Sequence, residues 1–507
     1  MIATFLSLFS ALTLDTPRIS RELSVNHSDQ PTWLTWQNKI HREYSSIDSS
    51  RIEYARLGNE QQIKPTYTQS LFRSLKVTFG MTIAGIPLAI TGIVFIYFDL
   101  RTCDLCSEWL AQNNTVSFDV MKIRLLGNGV EVMFLNLWLP MMLTVLFGWK
   151  EFKRHYSLTI VIGILAGVVY TLYLSFLLLY DVYDTNLWYR IPGNVTFSIG
   201  IIWGCVIVFR KIRQNQPTVS YSGCHIFTVV SVPLFSSLAM AMFYRYAIVR
   251  WFNSVDNVLY KFIMAVLTPT LAIVPTALCR HIALWRASEI VEPERSFALV
   301  YFMRAGFIIL YRIMQTDFKS IWLFAGLSTL SGVSSLLKTT TVSIRKRIWA
   351  RVIKFLNKTC CSRLKFLPQE TPHHRRLKAD TEIQSILFEN NSLIISQAYI
   401  VLYMITSFEH PHWAVVTESF IRIAIGLGIE FLFNFLSSFV RIHWHDIPMA
   451  RVWSKYWKPH MLANGVIITT LVCYFTKVLL SVFQHRVHST AANYTVRNCT
   501  LPYESWW

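Results

Sequence analysis

The stretch KTTTVSIRKRIWARVIKFLNKTCCSRLKFLPQETPHHRRLK, residues 338–378, decides how the chain is arranged. It contains twelve lysines and arginines but a single acidic residue, Glu370, and it lies between two long apolar runs. Because moving so many positive charges across a lipid bilayer costs free energy, such a segment stays on the cytoplasmic side of a membrane. The stretch therefore predicts a cytoplasmic loop that sets the orientation of the apolar segments on either side of it.

The middle of this stretch has the pattern of an amphipathic helix, with basic residues on one face and apolar residues on another. The basic residues are Arg347, Arg351, Lys354 and Lys358. A helix of this kind lies on the anionic lipids of the cytoplasmic leaflet. The cysteines that follow, Cys360 and Cys361, are placed for palmitoylation. The alternative interpretation is a solvated basic loop that only sets topology.

Composition places the chain in a membrane. Of its 507 residues, 53% are hydrophobic and only 15% are charged, which is too apolar for a soluble globular protein. A net charge of +19 would suggest nucleic-acid binding in a soluble protein. Here the lysines and arginines cluster between apolar runs, as they do in the cytoplasmic loops of membrane proteins, so no nucleic acid is predicted as a partner.

Apolar runs of roughly twenty residues are long enough to cross the hydrocarbon core of a bilayer. Eleven such runs predict an all-α, polytopic integral membrane bundle. They cover approximately residues 76–98, 130–149, 157–180, 195–210, 223–244, 258–279, 296–314, 320–338, 386–408, 414–440 and 460–483. Basic loops follow the even-numbered runs, which predicts a cytoplasmic N-terminus and an extracellular or lumenal C-terminus.

This topology divides the chain into five regions. They are a mobile cytoplasmic N-terminal region (1–70), transmembrane helices 1 to 8 (71–337), the basic cytoplasmic loop with its interfacial helix (338–385), transmembrane helices 9 to 11 (386–483) and an extracellular or lumenal tail (484–507).

The face predicted to be extracellular or lumenal carries modification motifs. The sequon asparagines are Asn113, Asn493 and Asn498. Their glycosylation would place the protein in the plasma membrane or in a membrane of the secretory pathway. Cys103, Cys106 and Cys499 fall on the same face, where oxidising conditions favour a disulfide between two of the three. Zinc would need more ligands than this CxxC supplies, so no metal site is predicted.

Pro269 and Pro275 interrupt the sixth apolar run. Proline removes a backbone N–H and leaves a carbonyl unpaired, so the helix is predicted to break or kink there. Broken transmembrane helices line substrate cavities in transporters, and a kink that only improves packing is equally compatible with the pattern.

Charged and amide side chains inside apolar runs are the main functional signal, because lipid penalises them. The candidates for a substrate path are Arg304, Gln397, Arg422, Glu430 and Asn434. On the tenth run, Arg422 lies roughly 12 Å from Glu430 along the helix axis, too far for a direct pair. Glu430 is therefore predicted to face Arg304, and Arg312 to extend its guanidinium to the outer surface. A structural ion pair is the alternative at each position.

The segment HWHDIPMARVWSKYWKPH, residues 443–460, concentrates His443, His445 and His460 among aromatic side chains. Histidines can serve a membrane-embedded transferase, but this spacing matches no metal or catalytic motif. Trp and Tyr in such a segment are typical of the membrane interface. The sequence contains no Walker loop, GxSxG or HExxH motif. We therefore predict no catalytic residue, no metal and no cofactor.

Residues 310–338, LYRIMQTDFKSIWLFAGLSTLSGVSSLLK, resemble the mid-protein segment of the XK-related lipid scramblases. The resemblance covers under a tenth of the chain. Where that family places a Pro-Gln step, this chain has Met303 and Arg304. The resemblance implies movement of lipid as one function.

The interior charges predict a protein that moves a polar or charged substrate, an ion or small solute, across the membrane as a transporter or channel. Its expected partners are that solute and membrane lipids, which are anionic at the cytoplasmic leaflet. A phospholipid scramblase is the nearest alternative. A membrane-embedded transferase, and a receptor or scaffold whose buried charges only lock the fold, are the others.

Overall fold

Helices form all the regular structure that the computed structural model describes. It describes residues 66–112, 114–180, 182–183, 191–215, 223–285, 290–292, 294–342, 344, 347–348, 351, 372–409, 413–490 and 494–501. Within these ranges no strand occurs, and ten helices are long and apolar enough to cross a membrane. The prediction of an all-α, polytopic membrane bundle is confirmed.

The N-terminal half of the bundle is built from apolar helices joined by short turns. Its helices are α1 (Tyr67–Arg101), α2 (Ser107–Ala111), α3 (Phe118–Asn136), α4 (Trp138–Phe147), α5 (Leu158–Leu179), α6 (Ile191–Asn215) and α7 (Gly223–Phe243). Helices α3 and α4 form one membrane-crossing unit that is interrupted at Leu137. Pro140 accounts for the interruption, because a proline cannot donate to the carbonyl four residues before it.

The C-terminal half contains the helices that carry most of the buried charge. They are α8 (Val249–Ser254), α9 (Val258–Leu267), α10 (Ile273–Trp285), α11 (Phe297–Asp317), α12 (Ile321–Thr340), α13 (Pro372–Ser407), α14 (Trp413–His443) and α15 (Met449–Thr490). Pro269 lies in a 3-10 segment, Thr268–Ala272, that separates α9 from α10. Pro275 lies in the first turn of α10. Backbone N–H groups in a first turn have no intrahelical acceptor, so a proline there removes no hydrogen bond of the helix.

Helix α13 explains why eleven runs were predicted and ten helices qualify as membrane spans. The predicted run 386–408 lies within α13, which begins at Pro372, inside the predicted basic loop. Its charged and amide residues keep α13 out of the ten. Helices α1, α11, α14 and α15 all pack against it, and most of its described side chains are buried. The helix therefore runs through the centre of the bundle, where other helices rather than lipid surround it.

The outer helices present apolar side chains to the surroundings, as expected for contact with lipid tails. On α1, Phe79, Ile90 and Val94 are more than half exposed. In the most apolar window of α5 only 22% of residues are buried, against 83% in α11. Helix α11 is thus an inner helix, and it shares the interior with α13.

A disulfide and a short backbone bridge hold the C-terminal tail against one face of the bundle, which we call the disulfide face. Cys106, at the start of α2, is bonded to Cys499, and Cys103 remains a buried thiol. Beside the disulfide, the tail pairs with the end of α13: Arg497 N donates to Ser407 O at 2.9 Å. The other end of the bundle, where α1, α13 and α15 begin, is called the far face.

Replacing Cys499 with serine should release the tail from α2. The unfolded chain stays largely inserted in the membrane, so the disulfide restricts it less than it would restrict a chain in water, and we expect a loss of about 1–2 kcal/mol. Unfolding of the full-length protein in detergent measures this loss, with Cys205→Ser as the control for an unpaired buried cysteine. Equal stability of Cys499→Ser and the wild type under non-reducing conditions would contradict the bond.

Several predicted surface residues fall outside the described part of the chain. These are Asn113, Lys354, Lys358, Cys360, Cys361 and Asn493. Of the others, Arg347 and Arg351 are helical and exposed, and Asn498 is exposed beside the disulfide. Lipid contact and glycosylation at these positions stay predictions.

Candidate functional site: a ladder of buried charges

A column of charged and polar side chains, here called the charged ladder, follows the central helix α13. Each set of its side chains that lie in contact at one height along α13 is called a rung. Its members are Arg304 and Arg312 of α11; Arg376, Asp380, Glu382, Glu389 and Gln397 of α13; Glu418, Arg422, Glu430 and Arg441 of α14; and His460 and Arg486 of α15. From Asp380 to Gln397 the helix rises roughly 25 Å, at about 1.5 Å per residue. The ladder therefore spans most of the ~30 Å hydrocarbon core of a bilayer.

The rung nearest the far face is centred on Asp380, whose carboxylate is completely buried. It accepts hydrogen bonds from Nε of Arg376 at 2.9 and 3.1 Å, and Nε2 of His460 lies 3.2 Å away. Gln384 Nε2 donates to both Nδ1 and the carbonyl of His460, each at 2.9 Å. Since Nδ1 accepts from this amide, His460 carries its proton on Nε2 and donates it to Asp380.

An amide chain extends this rung between α13 and α15. Asn464 Nδ2 donates to Gln384 Oε1, and Asn391 Nδ2 donates to Asn464 Oδ1, both at 2.9 Å. All three amides are buried. Buried amides are tolerated only when they find partners, so this chain aligns the two helices and fixes their relative height.

The next rung is partly accessible, and we call it the recess. Glu382 lies 3.1 Å from Arg441 of α14 and 3.9 Å from Arg304 of α11. The Arg304 side chain is 27% exposed and that of Glu382 is 13% exposed, whereas the side chains of Arg376 and Asp380 in the rung nearest the far face are 3% and 0% exposed.

The accessible residues of α13 form a stripe on one side of the helix. Lys378, Glu382 and Glu389 are half-buried while their neighbours are buried. Positions i, i+4 and i+11 lie within about 40° of one another at 100° per residue. Helices α11 and α14 both pack on α13 but approach each other at few points, so the stripe faces the gap between them.

Arg312 and Glu430 lie nearer the disulfide face than the recess does, and they form an ion pair that we call the central pair. The part of the ladder from this pair to the disulfide face is called the upper half. Arg312 donates to Glu430 Oε1, and the side chains are 1% and 3% exposed. Arg312 also donates to Gln315 Oε1 at 2.7 Å, and Gln315 Nε2 donates to the carbonyl of Phe324 on α12 at 2.8 Å. The pair thus ties α11, α12 and α14 together and closes the ladder above the recess.

The ladder continues to the disulfide face through backbone carbonyls. Arg422 is completely buried, and its NH1 donates to the carbonyl of Phe318 at 2.7 Å. Its Nε donates to Glu418 Oε1 at 2.9 Å. Arg486 of α15 lies 3.2 Å from the same carboxylate, which is 45% exposed. Among the ladder carboxylates of the upper half, Glu418 is exposed, whereas Glu430 is buried.

The amide groups predicted for the path lie on both sides of the central pair. On the disulfide-face side, Gln397 Nε2 donates to Thr316 Oγ1 at 3.0 Å, and that hydroxyl lies 3.1 Å from Ser396 Oγ. Asn434 is buried one turn beyond Glu430 towards the far face, and its Nδ2 has no hydrogen-bond partner among the described residues. These groups add uncharged polar side chains to the ladder.

Two sequence predictions about partners are wrong. Glu430 pairs with Arg312 instead of Arg304, because Arg312 lies at the depth of Glu430 while Arg304 lies two turns nearer the far face. Arg312 is buried and does not extend to the outer surface. A partner two helices away cannot be chosen from position along one run, since it depends on the relative height of the helices.

Sequence reasoning also missed the lower rungs. Arg376, Asp380 and Glu382 lie in the predicted basic loop, so they were not considered as buried residues. A signal was present, since Lys378, Glu382 and Glu389 recur with helical spacing across the predicted boundary.

The three histidines considered for a transferase have separate partners. His443 Nδ1 lies 3.2 Å from Ser70 Oγ, and His445 Nε2 lies 2.9 Å from the carbonyl of Thr339. His460 belongs to the lowest rung. The structure therefore does not bring these side chains to one hydrogen-bonding centre.

A smaller cluster outside the ladder contains groups that could hold a metal ion. Oxygen or sulfur atoms of Asp99, Cys103 and Glu131 lie within 4.8 Å of one another between α1 and α3. A cavity lined by Asp99, Glu131 and Cys473 adjoins them. Structural zinc sites use four ligands, and three are placed here.

The fold and the ladder define a multi-pass, all-helical membrane protein with charges buried along its axis. A scan against protein-family models matched no family, and searches of curated proteins and of solved structures found no similar chain.

Proposed function

We propose that the protein moves a polar or charged substrate, a small solute or an ion, across the membrane along the charged ladder. The observation that carries this proposal is the contrast between two rungs of one column: Arg304 and Glu382 are accessible, whereas Arg312 and Glu430 are buried. Buried charge in a membrane protein stabilises little by itself, so an accessible rung within a column of buried charges favours a pathway.

The geometry supports a mechanism in which the substrate enters the recess from the far face. The central pair and the Arg422 rung block its further passage. Passage requires Arg312 and Glu430 to separate while the recess closes towards the far face, as in transporters that expose a fixed site to each side in turn. The positive-inside rule, applied to the stretch 338–378, supports a cytoplasmic far face, and in that orientation the recess opens to the inside.

A lipid headgroup is the second candidate substrate. Helices α11 and α14 approach each other at few points, and a gap between two helices can admit a headgroup while its tails remain in the bilayer. The resemblance of residues 310–338 to a segment of lipid scramblases supports the same alternative. In this case the ladder would guide headgroups along the flank of the bundle.

Flux through the full-length protein in proteoliposomes tests both candidates. The probes are labelled inorganic phosphate, chloride, rubidium and glucose for solutes, and a fluorescent phosphatidylcholine with an impermeant quencher for lipid. We expect at least one probe to move faster than in protein-free vesicles. The double variant Arg312→Met, Glu430→Met keeps the interior neutral but removes the closure, so it should change that rate by about tenfold, or about 1.4 kcal/mol in the barrier.

The control is Asp119→Asn, which removes an exposed pair with Lys122 far from the ladder and should leave the rate unchanged. Movement of lipid alone would favour the scramblase. If every probe crosses at the protein-free rate, the ladder is a structural device and transport is ruled out for these substrate classes.

A further inference from the structure

Arg304 is a ladder arginine that is partly exposed and makes no hydrogen bond to the described residues. No acceptor among the described residues lies within hydrogen-bond distance of its guanidinium, and its nearest carboxylate, Glu382, is 3.9 Å away. Arg312, Arg376 and Arg422 each donate directly to a carboxylate instead. A guanidinium has five N–H donors in a planar fork, and the Arg304 side chain is 27% exposed.

Glu382 cannot satisfy Arg304, because it is held more closely by another cation. Arg441 lies 3.1 Å from the second oxygen of Glu382, and its side chain is only 5% exposed. The shorter and drier contact is the stronger of the two in a low-dielectric interior. Glu382 is therefore primarily the counter-ion of Arg441, and Arg304 keeps only a long, partly screened attraction to it.

Positive groups cluster around the recess. Four cations act electrostatically on Glu382, namely Arg280, Arg304, Lys378 and Arg441. The neighbouring charges are committed to one another, since Arg376 pairs with Asp380 and Arg312 pairs with Glu430. Among the cations around Glu382, Arg304 keeps a side chain that is 27% exposed.

We infer that the recess binds an anionic group, a phosphate or a carboxylate, with Arg304 as its principal ligand. An arginine fork matches two oxygens of either group bidentately, and such an anion would supply the hydrogen-bond acceptors that Arg304 lacks among the described residues. This inference deepens the proposed function, on which it rests, by naming the substrate as an anion. The phosphate can belong to a free solute or to a lipid headgroup.

A substitution of Glu389 distinguishes anion binding by Arg304 from a purely structural role of Arg304. Its carboxylate interacts electrostatically with Arg304 and Arg312, but no described cation lies within ion-pair distance of it. Removing its charge makes the recess more positive without stranding a partner. Glu389→Gln should therefore tighten anion binding, while Arg304→Gln should weaken it.

Binding to the purified full-length protein in neutral detergent tests the inference without a flux assay. The probes are inorganic phosphate for a free anion, dihexanoyl phosphatidic acid for a headgroup and tetramethylammonium for a cation, each titrated against thermal unfolding. For at least one phosphate probe we expect Arg304→Gln to raise the apparent Kd about tenfold, which is 1.4 kcal/mol. Glu389→Gln should lower the Kd several-fold, and Arg304→Lys should retain part of the affinity.

The matched control is Arg73→Gln, an exposed arginine near the far-face end of α1, which should leave the Kd within about twofold. Arg304-dependent binding of inorganic phosphate identifies a free anion, and such binding of the short-chain lipid alone identifies a headgroup. The inference is overturned if neither phosphate probe depends on Arg304, or if Glu389→Gln weakens binding. If flux of rubidium or glucose persists without any anion binding, the inference fails while the proposed transport stands.

Discussion

Replacing Glu430 with glutamine is expected to lower the free energy of unfolding by about 3–5 kcal/mol. The carboxylate is 3% exposed and accepts from Arg312, which is 1% exposed. Glutamine keeps the size of the side chain but leaves the guanidinium charged, buried and without its counter-ion. Unfolding of the full-length protein by titrated denaturing detergent, followed by tryptophan fluorescence, measures the loss.

A double variant separates charge from shape at this site. Arg312→Met with Glu430→Met removes both charges and fills a similar volume, so it should return to within about 2 kcal/mol of the wild type. The remaining loss reflects Gln315 Oε1, which no longer accepts from Arg312. Asp119→Asn, at a pair whose side chains are 53% and 67% exposed, should change stability by under about 0.5 kcal/mol. If Glu430→Gln lowered the free energy of unfolding as little as this control does, the central pair would not be a buried ion pair.

The arrangement of apolar helices follows from hydropathy alone, because a run of roughly twenty apolar residues has few options other than a membrane helix. The runs around Phe79 and around Leu165 were located in this way, and both helices expose those side chains. A single sequence also suffices to find charges inside such runs, as for Arg422 and Glu430. Burial of both is observed.

The central helix could not be found by the same reasoning. Hydropathy detects contact with lipid, whereas α13 is surrounded by other helices. Its Asp380, Glu382 and Asn391 therefore meet polar partners on α14 and α15 instead of lipid. The pairing of Glu430 with Arg312 is a second feature that the sequence alone does not predict. It depends on how far α11 slides along α14, and only packing against α12 and α13 decides that distance.

The exposure of successive rungs bears on the function of the ladder. Asp380 makes a buried contact with His460 and Arg376 on the side of α13 that faces α15, and the buried pair of Arg312 and Glu430 closes the recess towards the disulfide face. The rung at Arg304 and Glu382, which α13 presents towards α11 and α14, is accessible. A protein that only needed interior charges to lock its helices would gain nothing from leaving Arg304 in contact with open space, whereas a binding site requires it.

Replacing Asp380 with asparagine should be among the most destabilising single changes in the chain, again by about 3–5 kcal/mol. Its carboxylate is completely buried, its two oxygens share the single Nε–H of Arg376, and it lies against His460 Nε2. Asparagine leaves Arg376 charged at 3% exposure, and it presents an amide N–H to one of the two donors. Denaturing-detergent titration of the full-length protein measures the effect.

The adjacent arginine provides an internal control for this prediction. Arg375 lies 3.4 Å from Asp446 of the loop between α14 and α15, and these side chains are 29% and 54% exposed. Water solvates both groups when the contact is lost, so Asp446→Asn should change the free energy of unfolding by less than about 1 kcal/mol. The two variants remove one carboxylate each from neighbouring arginines and differ chiefly in burial. A loss of the same size in both would mean that Asp380 is solvated, and the lowest rung would then be open to water from the far face rather than sealed.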